Sequence, residues 1–97
     1  MSELESGAGE GRLPAARPDV VFRELTEEWV LFDPVSQLMH VLNLTGAIVW
    51  AACDGETSLN DLMVEMDQAF APPPEPEALL GDIHETVERF RSEGLLL

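Results

Sequence analysis

Apolar residues follow two different patterns along this chain, first short runs and later helical spacing. Short β-favouring runs cover residues 20–22, 29–32 and 38–42, and the turn pair Asp33-Pro34 separates the last two because proline has no amide to donate. The second run is apolar at every position, which is typical of a strand contacted on both faces. The sequence therefore predicts three short antiparallel strands.

After residue 43 the apolar positions recur every three or four residues, which predicts helices. Asn43 and Ser58 are the expected N-caps of the first two helices, and Pro76 begins the third. Asp54-Gly55 is expected to end the first helix, with the glycine in the left-handed conformation, and Gly94 is expected to end the third. The sequence thus predicts an α+β, winged-helix-like fold, with a three-stranded antiparallel sheet followed by three helices on one of its faces.

Residues 1–18 differ in composition from the rest of the chain. They are rich in Gly, Glu, Ala and Pro and lack apolar periodicity, so they cannot bury enough surface to offset the entropy of ordering them. We therefore expect a flexible tail over residues 1–18 and one folded domain over residues 19–97. A chain of 97 residues has room for one modest core and little room for a large catalytic pocket.

Charge disfavours several classes of function. The formal net charge is −14, from nineteen acidic residues against five arginines and no lysine. Nucleic acids and anionic membranes need clustered basic side chains, whereas these arginines are few and dispersed. No apolar run approaches the roughly 20 residues that span a bilayer, and residues 1–18 lack the basic start and hydrophobic block of a secretory signal. We expect a cytoplasmic protein.

Few side chains are candidates for chemistry. Cys53 is the single cysteine, so it has no internal disulfide partner, and we interpret it as a packing residue and not as a nucleophile. His40 and His84 are far apart, and the acidic residues near 54–61 lack the spacing of a calcium loop. We therefore expect a protein that is not an enzyme and binds no metal or cofactor. Its solvated acidic surface is suited to docking on a basic patch of a partner.

Four features in order resemble the PqqD family, the stand-alone form of the recognition element for ribosomally made, modified peptides. Two apolar strands lead into VLNLTGAIVW at residues 41–50, which is similar to the family's leucine-asparagine entry into a helix bearing a tryptophan. CDG at 53–55 closes that helix, and TSLNDL at 57–62 resembles the opening of the second helix. FRSEGLL at 90–96 resembles the family's terminal glycine-leucine signature. The resemblance extends from about Arg17 to Leu97.

The resemblance implies a non-enzymatic leader-peptide chaperone. In this family the leader of a precursor peptide binds as an extra strand beside the third strand, in a groove bounded by the third helix. The leader is thereby presented to a modifying enzyme such as a radical-SAM protein, or to a leader peptidase. The residues support the same binding mode, because the third strand of a meander is an edge with unpaired backbone groups. A second copy could pair there too, so monomer and edge-paired dimer both stay open.

The expected peptide-binding residues form two sets. The first set is the third strand with the residue before it, against which the backbone of the ligand would pair. The second set is one shoulder of the third helix, beside the expected core positions Leu79, Ile83 and Phe90. Together the candidate residues are Gln37, Leu38, Met39, His40, Val41, Leu42, Leu80, His84, Val87 and Arg91.

Two other functions stay open from the sequence. Topology alone suggests a winged-helix DNA-binding regulator, although the acidic residues of the third helix would repel phosphates. A small enzyme subunit that uses Cys53 or a carboxylate is the other alternative. Trp50, Met63 and Met66 are expected to fill the core, while Met39 remains open as a peptide contact.

Overall fold

The computed structural model describes residues 11–97, which form a small sheet followed by helices. The elements are β1 (Val21–Glu24), β2 (Trp29–Asp33), β3 (Leu38–Leu42), α1 (Leu44–Ala52), α2 (Leu59–Ala69) and α3 (Pro76–Ser92). The sheet is antiparallel with β2 in the middle. The prediction of an α+β fold, with a three-stranded antiparallel sheet followed by three helices, is confirmed. No helix within residues 11–97 is long and apolar enough to cross a membrane.

The core lies between one face of the sheet, here called the inner face, and the helices. Leu31 and Leu42 of the sheet belong to the same buried cluster as Trp50 and Phe90 of the helices. The rings of Trp50 and Phe90 meet edge to face, with centroids 5.3 Å apart and planes at 84°, an arrangement that aromatic pairs prefer. The expected core role of Trp50 is confirmed.

The ends of the helices follow the local sequence signals. The side chain of Asn43 accepts from the amide of Gly46 at 2.8 Å, and the Ser58 hydroxyl accepts from the amide of Asp61 at 3.0 Å. Gly94 follows Glu93, the C-cap of α3, and has a φ angle of +74°, which a Cβ would strain. α1 ends at Ala52 with Cys53 as its C-cap, so Gly55, with a φ angle of +78°, lies two residues past the cap. The predictions for Asn43, Ser58 and Gly94 are confirmed because each depends on neighbours in the chain, whereas α1 ends shortly before the predicted Gly55.

Residues 11–17, here called the N-terminal strap, depart from the expected flexible tail. Leu13 is 5% exposed and joins the core. Its amide donates to the carbonyl of Thr57 at 2.9 Å, and the amide of Ala16 donates to the carbonyl of Cys53 at 2.9 Å. Composition gave no sign of this, because the strap is held by one leucine and by backbone bonds to distant segments. The expectation for residues 1–10 lies outside the described residues.

Arg17 fastens the strap to the sheet and to the end of the chain. Its guanidinium makes two 3.0 Å bonds to the carboxylate of Asp33, the last residue of β2. It also donates to Asp19 at 2.7 Å and to the carbonyl of Gly94 at 2.9 Å. The hydrogen bonds from Arg17 to Asp33 lower the pKa of the Asp33 carboxyl to about 2. We call Arg17, Asp19 and Asp33 the clamp.

The other face of the sheet, here called the outer face, lies away from the helical core. Its residues are Val21, Arg23, Val30, Phe32, Met39 and Val41, which alternate with the inward residues and pair with one another across the strands. Val30 is buried, but Phe32 is exposed. The expectation that β2 is contacted on both faces is therefore met at Val30 and not at Phe32.

Candidate functional site

The side of β3 that faces away from β2 is an open edge of the sheet. The hydrogen-bonding pattern shows which groups lie along it. Where β1 turns into β2, the amide of Leu25 donates to the carbonyl of Glu28 at 2.8 Å. Bonded and non-bonded pairs alternate along antiparallel strands, so Val30 and Phe32 direct their backbone groups to β1.

The remaining residues of β2 direct their backbone groups to β3. Their bonded partners are then Trp29↔Leu42, Leu31↔His40 and Asp33↔Leu38. The amides and carbonyls of Met39 and Val41 therefore point to the open edge. A contact from α3 agrees with this assignment, because Nη2 of Arg89 donates to the carbonyl of Val41 at 3.3 Å. Met39 and Val41 supply the backbone groups that an added strand would bond.

The side chains of β3 alternate between two surroundings. Met39 and Val41 lie on the outer face and are 63% and 53% exposed. Leu42 is buried in the core, and His40 faces inward with its side chain 10% exposed. A strand added at this edge would therefore place alternate side chains beside an apolar outer surface and beside the inward groups next to α3.

His40, Arg89 and Glu93 form a polar cluster where β3 meets α3, here called the edge cluster. Nδ1 of His40 lies 3.3 Å from Oε1 of Glu93, and Nε of Arg89 lies 3.3 Å from the same oxygen. Nε2 of His40 is buried and has no hydrogen-bond partner within residues 11–97. Arg89 hydrogen-bonds both to Glu93 and to the outward carbonyl of Val41, and both of these bonds are long and exposed to solvent.

A cavity of about 420 Å³ opens at the end of β3, between the β1–β2 turn and α3. Its lining residues are Glu27, Glu28, Val41, Leu42, Asn43 and Arg89. The two glutamates make this end of the groove suited to a basic side chain, whereas Val41 and Leu42 provide an apolar wall. The edge and the cavity together form an open groove beside β3.

Residues 28–96 match the family described as Coenzyme PQQ synthesis protein D (PqqD). The chain belongs to the PqqD family. The match covers β2, β3 and the three helices, and it leaves β1 and the N-terminal strap outside. No curated protein and no solved structure matches the chain. The description of this family names a part in the synthesis of coenzyme PQQ.

In this member of the PqqD family, the predicted strand residues do not all direct backbone groups to the open edge. Gln37 lies in the turn with φ of +63°, and its amide donates to the carbonyl of Asp33 at 2.7 Å. His40 and Leu42 direct their backbone groups to β2, and the amide of Leu38 donates to the hydroxyl of Ser36 at 3.3 Å. Of the predicted strand residues, Met39 and Val41 are therefore the two whose amides point to the open edge.

The predicted helical residues lie on the opposite side of α3 from β3. His84, Val87 and Arg91 line a separate cavity of about 250 Å³, next to Leu13 of the strap and Leu59 of α2. Leu80 is half-buried and lies on the same side of the helix as His84, four residues away. The predicted strand residues therefore lie together along β3. The predicted helical residues lie on the far side of α3 and do not reach the open edge.

Arg89 of α3 and Glu93, the C-cap of that helix, contact β3, and neither residue is among those predicted from the sequence. A helical wheel shows an apolar stripe with two shoulders, and it does not say which shoulder lies against the sheet. Arg89 and Glu93 are four residues apart with opposite charges, a pattern that also forms on fully solvated helix faces. The signal in the sequence was therefore ambiguous.

Cys53 is 5% exposed, and burial raises the pKa of its thiol to about 11. It is therefore protonated at neutral pH and poorly suited to nucleophilic attack. Within the described part of the chain, no group of three or more His, Cys, Asp or Glu side chains could hold a metal ion. What the groove presents is an unpaired strand edge with apolar and acidic walls.

Proposed function

We propose that this protein binds the leader segment of a ribosomally made precursor peptide as a fourth strand beside β3. It would then present the peptide to a modifying enzyme or a leader peptidase and carry out no chemistry itself. Membership of the PqqD family supports a role with a peptide substrate. The cytoplasm, where precursor peptides are made, is the expected compartment.

The open edge of β3 carries this proposal. The amides and carbonyls of Met39 and Val41 point away from β2, and unpaired strand edges are natural templates for an extended peptide. The opposite edge strand, β1, has four residues and includes the charged Arg23 and Glu24. Charged side chains on a short strand discourage pairing, so β3 is the more favourable edge.

The walls of the groove indicate which leader side chains would fit. Positions on the outer face would lie beside Met39 and Val41, which favours apolar residues there. Where the strand reaches the cavity, Glu27 and Glu28 favour a basic residue. Backbone bonds would supply affinity, and these alternating preferences would supply selectivity.

DNA binding, the alternative from topology, finds no support in the charges of α3. Its two arginines each lie within 3.3 Å of a glutamate oxygen, Arg89 with Glu93 and Arg91 with Glu88. A phosphate contact would have to break these pairs in a protein of net charge −14. A mobility-shift assay with duplex DNA at low salt is expected to show no complex.

Proline at Val41 tests the proposed strand addition. Because the amide of Val41 is not bonded to β2, Val41→Pro removes an outward donor without removing a sheet bond. The affinity for the fluorescently labelled leader of its precursor peptide should fall at least about tenfold, since one ladder bond contributes about 1 kcal/mol and the ring adds a clash. Anisotropy titration measures the change, and circular dichroism checks the fold.

Glu24→Pro is the matched control, because alternation also directs the amide of Glu24 away from β2, on the opposite edge. It should leave leader binding unchanged. Equal losses in the two variants would point to a general effect of proline and away from the β3 edge. Failure of the folded wild-type protein to bind the leader would refute the proposed function.

A further inference from the structure

Five apolar side chains share the outer face of the sheet. Cross-strand pairing puts Val21, Phe32 and Met39 in one row, and Val30 and Val41 in the next. Val21, Phe32, Met39 and Val41 are 39%, 36%, 63% and 53% exposed. The solvated face of a sheet normally carries polar side chains, whereas this face carries apolar side chains at five of its six positions.

Charge is distributed unevenly between the two faces. The outer face carries a single charged residue, Arg23, while both carboxylates within the strands, Glu24 and Asp33, alternate onto the inner side. The chain nevertheless has nineteen acidic residues. An apolar face kept free of carboxylates in so acidic a protein is typical of an interaction surface.

The net charge helps to identify what covers this face. Two copies of the chain would each bring a formal charge of −14, and they would repel one another around a contact of only four exposed apolar side chains per copy. A partner with an apolar centre and a basic rim would instead be attracted and steered into place. The charge therefore favours a different protein over a second copy.

We infer that the outer face of the sheet is the docking surface for an apolar, basic-rimmed patch on the modifying enzyme. This inference rests on the proposed function, which supplies both the enzyme and the leader. A leader strand beside β3 would extend the same face, because every second side chain would lie next to Met39 and Val41. The enzyme would then contact protein and peptide together, so the leader should raise its affinity.

The test uses a residue on the outer face that is far from the leader edge. Val21 lies on β1, two strands away from the open side of β3. Val21→Glu should weaken binding of the purified enzyme that modifies the same precursor peptide by about tenfold or more, as expected for a charge placed in an apolar contact. Val64→Glu is the matched control, since Val64 is 51% exposed on α2 and receives the same charge. Titration calorimetry measures enzyme affinity, with and without the leader.

Leader binding is titrated in parallel and should be unchanged in both variants. Should Val21→Glu fail to fold by circular dichroism, Val21→Thr keeps the shape of the side chain and should give a smaller loss in the same direction. Unchanged enzyme affinity in a folded Val21 variant, or an equal loss in Val64→Glu, would overturn the inference. So would a wild-type dimer that dissociates in Val21→Glu while enzyme affinity stays constant.

The two proposals fail in different ways. If the wild-type protein does not bind the leader while Val21→Glu still weakens enzyme binding, the docking surface stands and the leader-binding proposal falls. If the leader binds and the outer-face variants do not affect the enzyme, the leader-binding proposal stands and the docking surface falls.

Discussion

Arg17 and Arg89 both connect a β-strand to a distant segment, but they do so under different conditions. Arg17 makes two 3.0 Å bonds to the carboxylate of Asp33, which is 3% exposed. Arg89 reaches Glu93 and the carbonyl of Val41 at 3.3 Å, and its own side chain is 44% exposed. The first contact is short, bidentate and shielded, whereas the second is long and solvated.

This difference separates a contact that holds the fold from one that can be exchanged. Bidentate, charge-assisted bonds away from water are among the stronger polar interactions in proteins. Exposed pairs contribute little because water and salt screen them. We therefore expect the clamp to stabilise the fold. We also expect the hydrogen bond from Arg89 to the carbonyl of Val41 to break when a peptide strand binds beside β3.

The largest expected effect comes from Arg17→Met. This variant leaves the carboxylate of Asp33 shielded from water without its guanidinium, which is costly for a charged group. Its midpoints of thermal and urea unfolding should lie clearly below those of the wild type, while Arg89→Met should stay close to the wild type. Circular dichroism follows both transitions. Equal losses in the two variants would contradict the assignment of the clamp.

A smaller effect is expected from acid. The pKa of Asp33 is about 2 in the folded protein against about 3.9 for an unfolded aspartate. Because this pKa is lower in the folded state than in the unfolded state, the ionised carboxylate stabilises the folded protein. The contribution is complete above pH about 4 and is lost as the pH falls toward 2. Urea unfolding across that range should show a shallower decline for Asp33→Asn than for the wild type.

Other carboxyls also contribute to the acid dependence, since the pKa values of Asp19 and Asp54 are lowered as well, mainly by hydrogen bonds from Arg17 and from the amide of Thr57. The comparison between variant and wild type isolates the share of Asp33. Asp67→Asn, at an exposed position of α2, is the control and should keep the slope of the wild type.

The smallest expected effect concerns leader affinity. Arg89→Met frees the carbonyl of Val41, so the leader should bind about two- to fivefold more tightly, in line with the modest net free energy of one long hydrogen bond. Arg91→Met is the control, because it removes the same charge from the other side of α3, where Arg91 pairs with Glu88. Weaker binding in Arg89→Met would show that Arg89 contacts the peptide itself.

Local signals in the sequence predicted most of the fold. Asn43 and Ser58 accept from backbone amides three residues away, and Gly94 directly follows the C-cap of α3, so their roles follow from the chain itself. The apolar stripe of α3 likewise identified Leu79 and Ile83 as core residues, and both are buried. The family resemblance drawn from these segments agrees with the family match.

Long-range contacts were not predictable in the same way. Arg17 and Asp33 are sixteen residues apart, and the sequence around either residue does not indicate that they form an ion pair. The N-terminal strap is joined by backbone bonds, which composition does not reveal. The choice between the two shoulders of α3 depends on how the helix packs on the sheet, and the periodicity that identifies the stripe is the same for both.

Amide hydrogen exchange at the open edge tests strand addition by the leader most directly. The amides of His40 and Leu42 are bonded to β2, so they should be protected with or without the leader, whereas those of Met39 and Val41 should exchange freely in the unbound protein. Saturating leader should protect Met39 and Val41, with little change at Phe22 and Glu24 on the opposite edge. Saturable binding that leaves the amides of Met39 and Val41 unprotected would contradict the account.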